Sequence, residues 1–363
     1  YSLVPVLRED PPIIRSAKAA MNSHPLVPAC LYHAPAAEGG NPTADAFRPG
    51  DIDAILARAQ RLSCDAVLAA PPSSAPGPYP GLIDHPDHSM LAGESATVDV
   101  LTHWVSRADA TGTKLFLDID VTQAAVLGRY VAQWHDAYEP AAPSGAHDPR
   151  LSHFDAASAR LRYGDDDAVR GVIDDWAQRL APWTQAGIHG FRLLHLDRLT
   201  PDAVACLVQA IRTARPGCAV LGDTPGLTPW ALAALAASQL DGVLSSLPWW
   251  NGRAPWLVEE FDRLRAISPC VVAPAALNAD LPLAQLRRTL WTAALVGDSV
   301  LVRPQGDFSP EQDTAIAEIC LWRSQSGSAC GPLRVISPPA GGAVALLRTD
   351  GAAFATAQSQ HAR

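Results

Sequence analysis

Residues 165 to 223 read DDDAVRGVIDDWAQRLAPWTQAGIHGFRLLHLDRLTPDAVACLVQAIRTARPGCAVLGD, and the alternation of periods in this stretch decides the fold. Ala168 to Gln185 carries apolar side chains at helical spacing, behind Asp165, Asp166 and Asp167, whose carboxylates suit the positive end of a helix dipole. Gly190 to Leu194 is a short apolar run predicted as a strand. Pro201 to Ala214 returns to helical spacing, and Ala219 to Leu221 is again a strand. Helix, strand, helix and strand in close succession point to a parallel sheet with crossover helices.

The same alternation extends in both directions. Strands are expected at Leu26 to Tyr32, Ala66 to Ala70, Leu115 to Ile119, Gly242 to Ser245, Val271 to Ala273 and Ser299 to Val302. Helices are expected at Asp51 to Leu62, with Asp51 as N-cap, and at Val98 to Ala110, Trp230 to Ser238, Trp256 to Ile267, Leu283 to Leu295 and Pro310 to Ser324. Eight strands, each followed by a helix, predict an α/β protein of the (β/α)8 TIM-barrel class. Gln123 to His153, rich in Ala, Pro, Gly and His, reads as an insertion after the third strand, and Pro71 to Leu91 as a second long loop. Leu333 to Ile336 and Ala343 to Leu347 read as a hairpin opening a small β-domain. The expected division is a barrel over 1–328, with its insertion near 123–153, and a partial C-terminal β-domain over 329–363.

Composition narrows the class of function. The 363 residues include 28 basic and 37 acidic side chains, a net charge of -9, which argues against a general nucleic-acid binder. No run approaches the ~18 apolar residues of a membrane helix, so no membrane partner is expected. Seven cysteines without a CxxC pair read as reduced thiols, not as a disulfide framework or a zinc site. His85 and His88, separated by Pro86 and Asp87, read as a polar loop, so neither a metal nor a cofactor is expected. Beginning at Tyr1, the chain reads as a fragment or a processed form with no visible leader, and the expected location is cytoplasmic.

In a barrel, functional side chains gather at and just beyond the C-terminal strand ends. Those places read Leu115-Phe116-Leu117-Asp118-Ile119-Asp120, then Gly190-Phe191-Arg192-Leu193-Leu194-His195, then Val220-Leu221-Gly222-Asp223-Thr224, then Leu277-Asn278-Ala279-Asp280. In this order the four patches resemble the α-amylase family of glycoside hydrolases, family 13. That family has an Asp on the third strand, G-F-R-x-D on the fourth, G-E on the fifth and N-H-D on the seventh. Trp176 to Gly187 is similar to the helix that leads into its fourth strand, and Gly93 to Asp120 resembles its second helix and third strand. Within the family the wording is most similar to the α-1,4-glucan maltosyltransferases that use maltose 1-phosphate. The similarity spans Leu26 to Thr349.

The resemblance assigns roles residue by residue. Retaining glycosidases place two carboxyl groups about 5 to 5.5 Å apart, one as nucleophile and one as acid/base. The nucleophile position, two residues after Arg192, is Leu194, which can neither attack nor carry charge. Asp223 holds the acid/base position, one methylene shorter than the family's Glu. Asp280 holds the transition-state-stabilising position; Asn278 is retained, and the intervening His is Ala279. Asp118 and Arg192 are retained, and Thr122-Gln123 replaces an Asn-His pair. Each carboxylate also has a plain structural reading: Asp118 as a partner for Arg192, Asp223 as a cap on Thr224-Pro225, Asp280 as a helix N-cap. Tyr79, Trp249 and Trp250 are candidate sugar-stacking or packing residues, as are Tyr32 and His33. Asp197 is the substitute nucleophile weighed, reachable only by loop rearrangement, and His195 is expected on the opposite face from Leu194. The expectation is an α-amylase-like chain of α-glucan metabolism, impaired by Leu194, with α-glucan, maltooligosaccharide or maltose 1-phosphate as ligand. The alternative is a non-catalytic α-glucan-binding or structural module of a larger glucan-processing protein.

Overall fold

A computed structural model describes residues 26–34, 52–71, 94–126, 128–140, 158–250, 254, 256–274, 277–306, 308–325, 331–335 and 346–348. The chain runs β1 (Cys30–His33), α1 (Ile52–Arg61), β2 (Ala66–Ala69), α2 (Glu94–Ala110) and β3 (Lys114–Ile119). Then follow β4 (Gln123–Ala125), α3 (Arg129–Gln133), β5 (Tyr138–Pro140), β6 (Ser158–Leu161), α4 (Asp167–Gln185) and β7 (Gly190–Leu193). Next come α5 (Pro201–Ala214), β8 (Ala219–Gly222), α6 (Pro229–Ala234), β9 (Gly242–Leu244), α7 (Trp256–Ile267), β10 (Cys270–Val272) and β11 (Leu277–Asn278). The last elements are α8 (Leu283–Val296), β12 (Ser299–Val302), β13 (Pro304–Gln305), α9 (Pro310–Gln325), β14 (Leu333–Val335) and β15 (Leu346–Arg348).

Strands β1, β2, β3, β7, β8, β9, β10 and β12 pair in parallel and close, β12 returning to β1, into the expected barrel. Side chains alternate between the lumen and the helix layer, because successive Cβ atoms leave a strand on opposite faces. Leu31, Leu68, Phe116, Leu221, Val271 and Leu301 fill the lumen, and the outward-facing Leu115, Leu117, Val220 and Val272 join the helices in the larger core. The ring of Phe116 occupies the space that a side chain at Gly190 would need: a Cβ there would fall 2.2 Å from Phe116 Cε1. Gly190→Ala is therefore expected to lower stability by about 1 to 3 kcal/mol through overpacking. Urea midpoints measure it, and an unchanged midpoint counts against a close-packed lumen at this level.

Local chemistry starts the helices where the barrel needs them. Asp166 accepts hydrogen bonds from Ala168 N and Val169 N at the head of α4. Thr200-Pro201 and Thr228-Pro229 repeat one device, with the Thr hydroxyl capping a backbone N–H three residues on and Pro at the first helical position. The loop after β3 builds a three-stranded antiparallel sheet in the order β4, β6, β5. It is fastened to α4 by Tyr130, whose hydroxyl donates to Asp175, and by Trp134, which lies where a Cβ on Gly171 would project. At the other end of the chain β14 pairs with β15, and buried Arg348 donates to the carbonyls of Leu295, Val296 and Gly297 and pairs with Asp298. That cation satisfies the last carbonyls of α8, so the hairpin is tied to the barrel.

Three expectations shift. The first strand starts at Cys30, not Leu26; Leu26 and Val27 lie partly buried against the lumen core instead of joining the ladder. The second helix starts at Glu94, a turn before Val98. The helix expected over Trp230 to Ser238 is α6 (Pro229–Ala234) followed by a 3-10 turn, Leu235–Ala237. Asp51, Tyr79, His85 and His88 lie outside the described residues. No described helix is long and apolar enough to cross a membrane.

Candidate functional site

Continuing each strand's two-residue step toward its C-terminal end generates the site. Leu31 leads to His33, Leu68 to Ala70, Phe116 to Asp118, Gly190 to Arg192 and Leu194, Leu221 to Asp223, Val271 to Ala273, and Leu301 to Arg303. All of the residues reached in this way line a cavity of about 340 Å³ at the barrel mouth, together with Leu244, Ser245 and Trp249. The volume lies within the range of small-molecule sites, which span about 300 to 1,000 Å³.

Its base is one ion pair with a histidine against it. Arg192 Nε donates to Asp118 Oδ1 at 2.7 Å and Nη2 to Oδ2 at 2.8 Å, a bidentate fork made possible by the β3–β7 register that sets Asp118 beside Arg192. His33 Nε2 lies 3.0 Å from Asp118 Oδ2. Burial opposes the Asp118 charge, but the guanidinium and His33 outweigh it and hold the carboxyl well below the usual range. Burial, together with the nearby Arg192 charge, pulls His33 down despite its bond to Asp118, so the ring is neutral at neutral pH. An ionised carboxylate only accepts, so His33 carries its proton on Nε2 and donates it to Asp118.

Asp223 stands differently. Its carboxyl makes no hydrogen bond to any described residue, and burial pushes its pKa up, against the pull of Arg192, His195 and Arg303. Asp118 is committed to Arg192 and His33, which leaves Asp223 as the uncommitted carboxylate among the described cavity residues. Leu194 faces the same space, so the position two after Arg192 presents a methyl surface, and Leu244, Leu301 and Ala273 add apolar lining.

His195 leaves the strand in the left-handed backbone region, with φ at 55°. Its Nε2 lies 3.3 Å from Asp120 Oδ2 and 3.1 Å from the Gln123 amide, outside the cavity lining. Thr122 holds Asp120 in place by donating from both its backbone N and its hydroxyl to Oδ1. Burial would lower the His195 pKa, but Asp120, with Asp223 and Asp197 beyond it, holds it up at about 9.

Other expected residues separate from the cavity. Asn278 and Asp280 are exposed and do not line it: β10 ends at Val272, Asn278 lies in the short β11–β13 ladder, and Asp280 follows that ladder. Asp280 does not serve as the cap of α8, whose N-cap is Pro282. Asp197 sits in the 3-10 turn Leu196–Arg198 beside Arg198 Nε at 3.3 Å, not in the cavity. Tyr32 points outward into the helix-side core with Leu56 and Cys64. Trp250 packs on the same core and donates from Nε1 to Ala254 O at 2.8 Å. Trp249 does reach the cavity, 42% exposed. Arg303 and Ser245 are cavity residues that motif reading passes over, and the two-residue step from Leu301 would have found Arg303. Among the described residues, no group of three His, Cys, Asp or Glu side chains is arranged to hold a metal ion.

The closed eight-stranded barrel, with its cavity at the C-terminal strand ends, is a fold shared with α-amylases. Over 171 residues the chain is 33% identical to the α-1,4-glucan:maltose-1-phosphate maltosyltransferase of Burkholderia pseudomallei (strain K96243). That match takes in 44% of this chain and only 15% of the relative's length. No family model matches. Among solved structures, the chain superposes on the α-amylase of Geobacillus thermoleovorans complexed with acarbose at a TM-score of 0.65 with 13% identity, covering 89% of this chain and 84% of the other. It superposes on an acarbose-soaked debranching enzyme of Nostoc punctiforme at 0.60 with 14% identity, covering 89% and 87%. These likenesses establish a shared fold.

Proposed function

We propose that the chain binds α-glucan at the barrel mouth and does not cleave it through a covalent glycosyl intermediate. The observation that carries this reading is Leu194 facing the cavity where the family's nucleophile is expected, beside an Asp118 already committed to Arg192. Among the described residues the cavity holds one uncommitted carboxylate, Asp223, which supplies neither a pair of catalytic carboxyl groups nor the spacing a retaining route needs. What remains suits recognition: the Asp223 carboxylate accepts from sugar hydroxyls, while Leu194, Leu244 and Trp249 meet the C–H faces of the ring. Candidate ligands are maltooligosaccharides and, from the maltosyltransferase similarity, maltose 1-phosphate. Six described cysteines are free thiols, which agrees with a cytoplasmic setting.

Calorimetry with maltotriose and maltose 1-phosphate, beside an assay for released or transferred sugar, tests both halves. Binding at millimolar affinity or tighter is expected, without turnover, and Asp223→Ala is expected to weaken it about tenfold or more, as losing a charged hydrogen-bond acceptor does. No heat and no thermal shift at millimolar sugar would sink the binding reading. Turnover that disappears in Asp223→Asn would overturn the non-catalytic one.

A further inference from the structure

Trp230 is 86% exposed, the most exposed of the described large apolar side chains. The residues before it fix its place. Pro225 lines the cavity, the chain turns through Gly226 and Leu227, Thr228 caps α6, and Pro229 and Trp230 open the helix. In a (β/α)8 barrel the helix N-termini lie at the same end as the strand C-termini, which is the cavity end. Helical side chains lean toward the N-terminus, so Trp230 is directed to the rim. Trp249 closes the 3-10 turn directly after β9, the strand that pairs with β8. One tryptophan thus lines the mouth, and the other stands on the neighbouring unit, one helix farther from the barrel axis.

We infer that Trp249 and Trp230 form an aromatic path leading out of the cavity, on which an α-glucan chain longer than the cavity holds continues across the rim. This rests on the α-glucan reading and adds to it a preference for long chains, set by a residue that does not line the cavity. The flat indole faces match the C–H surface of successive pyranose rings, and both Trp230 and Trp249 are exposed side chains. An exposed Trp on a helix already capped by Thr228 and Pro229 adds little to folding, so its replacement tests binding without disturbing the barrel.

The experiment measures calorimetric affinity for maltotriose and maltoheptaose in wild type, Trp230→Ala and Trp230→Phe. Wild type is expected to bind maltoheptaose about tenfold tighter than maltotriose, with a change in tryptophan fluorescence for the longer sugar. Trp230→Ala is expected to bring maltoheptaose down to the affinity of maltotriose, leave maltotriose unchanged and abolish that part of the fluorescence change. Trp230→Phe is expected to recover most of the chain-length preference. If Trp230→Ala keeps full maltoheptaose affinity while maltotriose still binds, the path is wrong and the cavity reading stands. Equal losses for both sugars overturn the path as well, because Trp230 then acts through the cavity. If wild type binds neither sugar, the α-glucan reading fails and takes the path with it.

Discussion

Arg192→Met is expected to destabilise the chain by about 3 to 5 kcal/mol, because it strands a buried carboxylate rather than removing a surface contact. Asp118 and Arg192 are both nearly inaccessible and exchange two hydrogen bonds of 2.7 and 2.8 Å. With the guanidinium gone, Asp118 keeps one neighbour, His33 at 3.0 Å, which is neutral in the intact site. The double variant Arg192→Met, Asp118→Leu is expected to recover most of the loss, since a well-packed apolar pair often equals a buried ion pair. Acid dependence separates this account from a packing defect. In wild type the Asp118 carboxyl is held below its ordinary value, so its contribution is complete above about pH 4 and declines as the pH falls through the depressed folded value. In Arg192→Met that carboxyl rises and His33 gains a proton more readily, so the deficit against wild type should narrow from pH 8 to pH 5. Urea unfolding across that range measures it. A loss below about 1 kcal/mol, or a deficit independent of pH, would contradict the ion-pair account.

The barrel is legible in the sequence because each of its strands is short and mostly apolar on both faces, and three of the following helices carry side-chain caps. Asp166 and the two Thr-Pro pairs announce α4, α5 and α6 before any contact is known. The site is legible only where it lies on strands. Asp118, Arg192, Leu194 and Asp223 follow from the two-residue step, and so does Arg303, which no motif marks. Asn278 and Asp280 fail because motif reading treats them as the end of the seventh strand. The strand stops at Val272, and β11 pairs with β13 instead of joining the barrel. Pairing of that kind depends on a partner about thirty residues away and leaves no local period. Tyr32 fails for the opposite reason: it lies on a strand, but one residue out of phase with the lumen. The Asp120–His195 contact joins two loop starts, and the left-handed turn at His195 that makes it possible has no glycine to betray it.

That contact predicts an alkaline loss of stability. His195 is held at about 9, above the ordinary 6.5, by Asp120 against the effect of burial. A group whose folded pKa is raised contributes stability that is complete below its unfolded value and disappears as the pH rises through the folded one. Here the window is pH 6.5 to 9, and at about 1.4 kcal/mol per pH unit it amounts to on the order of 3 kcal/mol. His195→Asn suits the left-handed backbone and removes the charge. It is expected to be a few kcal/mol less stable than wild type at pH 6, with the two converging by pH 10, in urea unfolding at fixed ionic strength. A gap that stays constant over that range would show that His195 acts by packing alone. The same charge bears on the cavity. Asp223 is pushed up by burial and by Asp118, and is pulled back toward ionisation by Arg192, His195 and Arg303. Losing one of these three cations raises the Asp223 carboxyl further, so the acid limb of glucan binding should move to higher pH in His195→Asn while the affinity at pH 8 stays near wild type. On the proposed binding role, the mouth needs Asp223 ionised at neutral pH, and His195, outside the cavity lining, helps to keep it so.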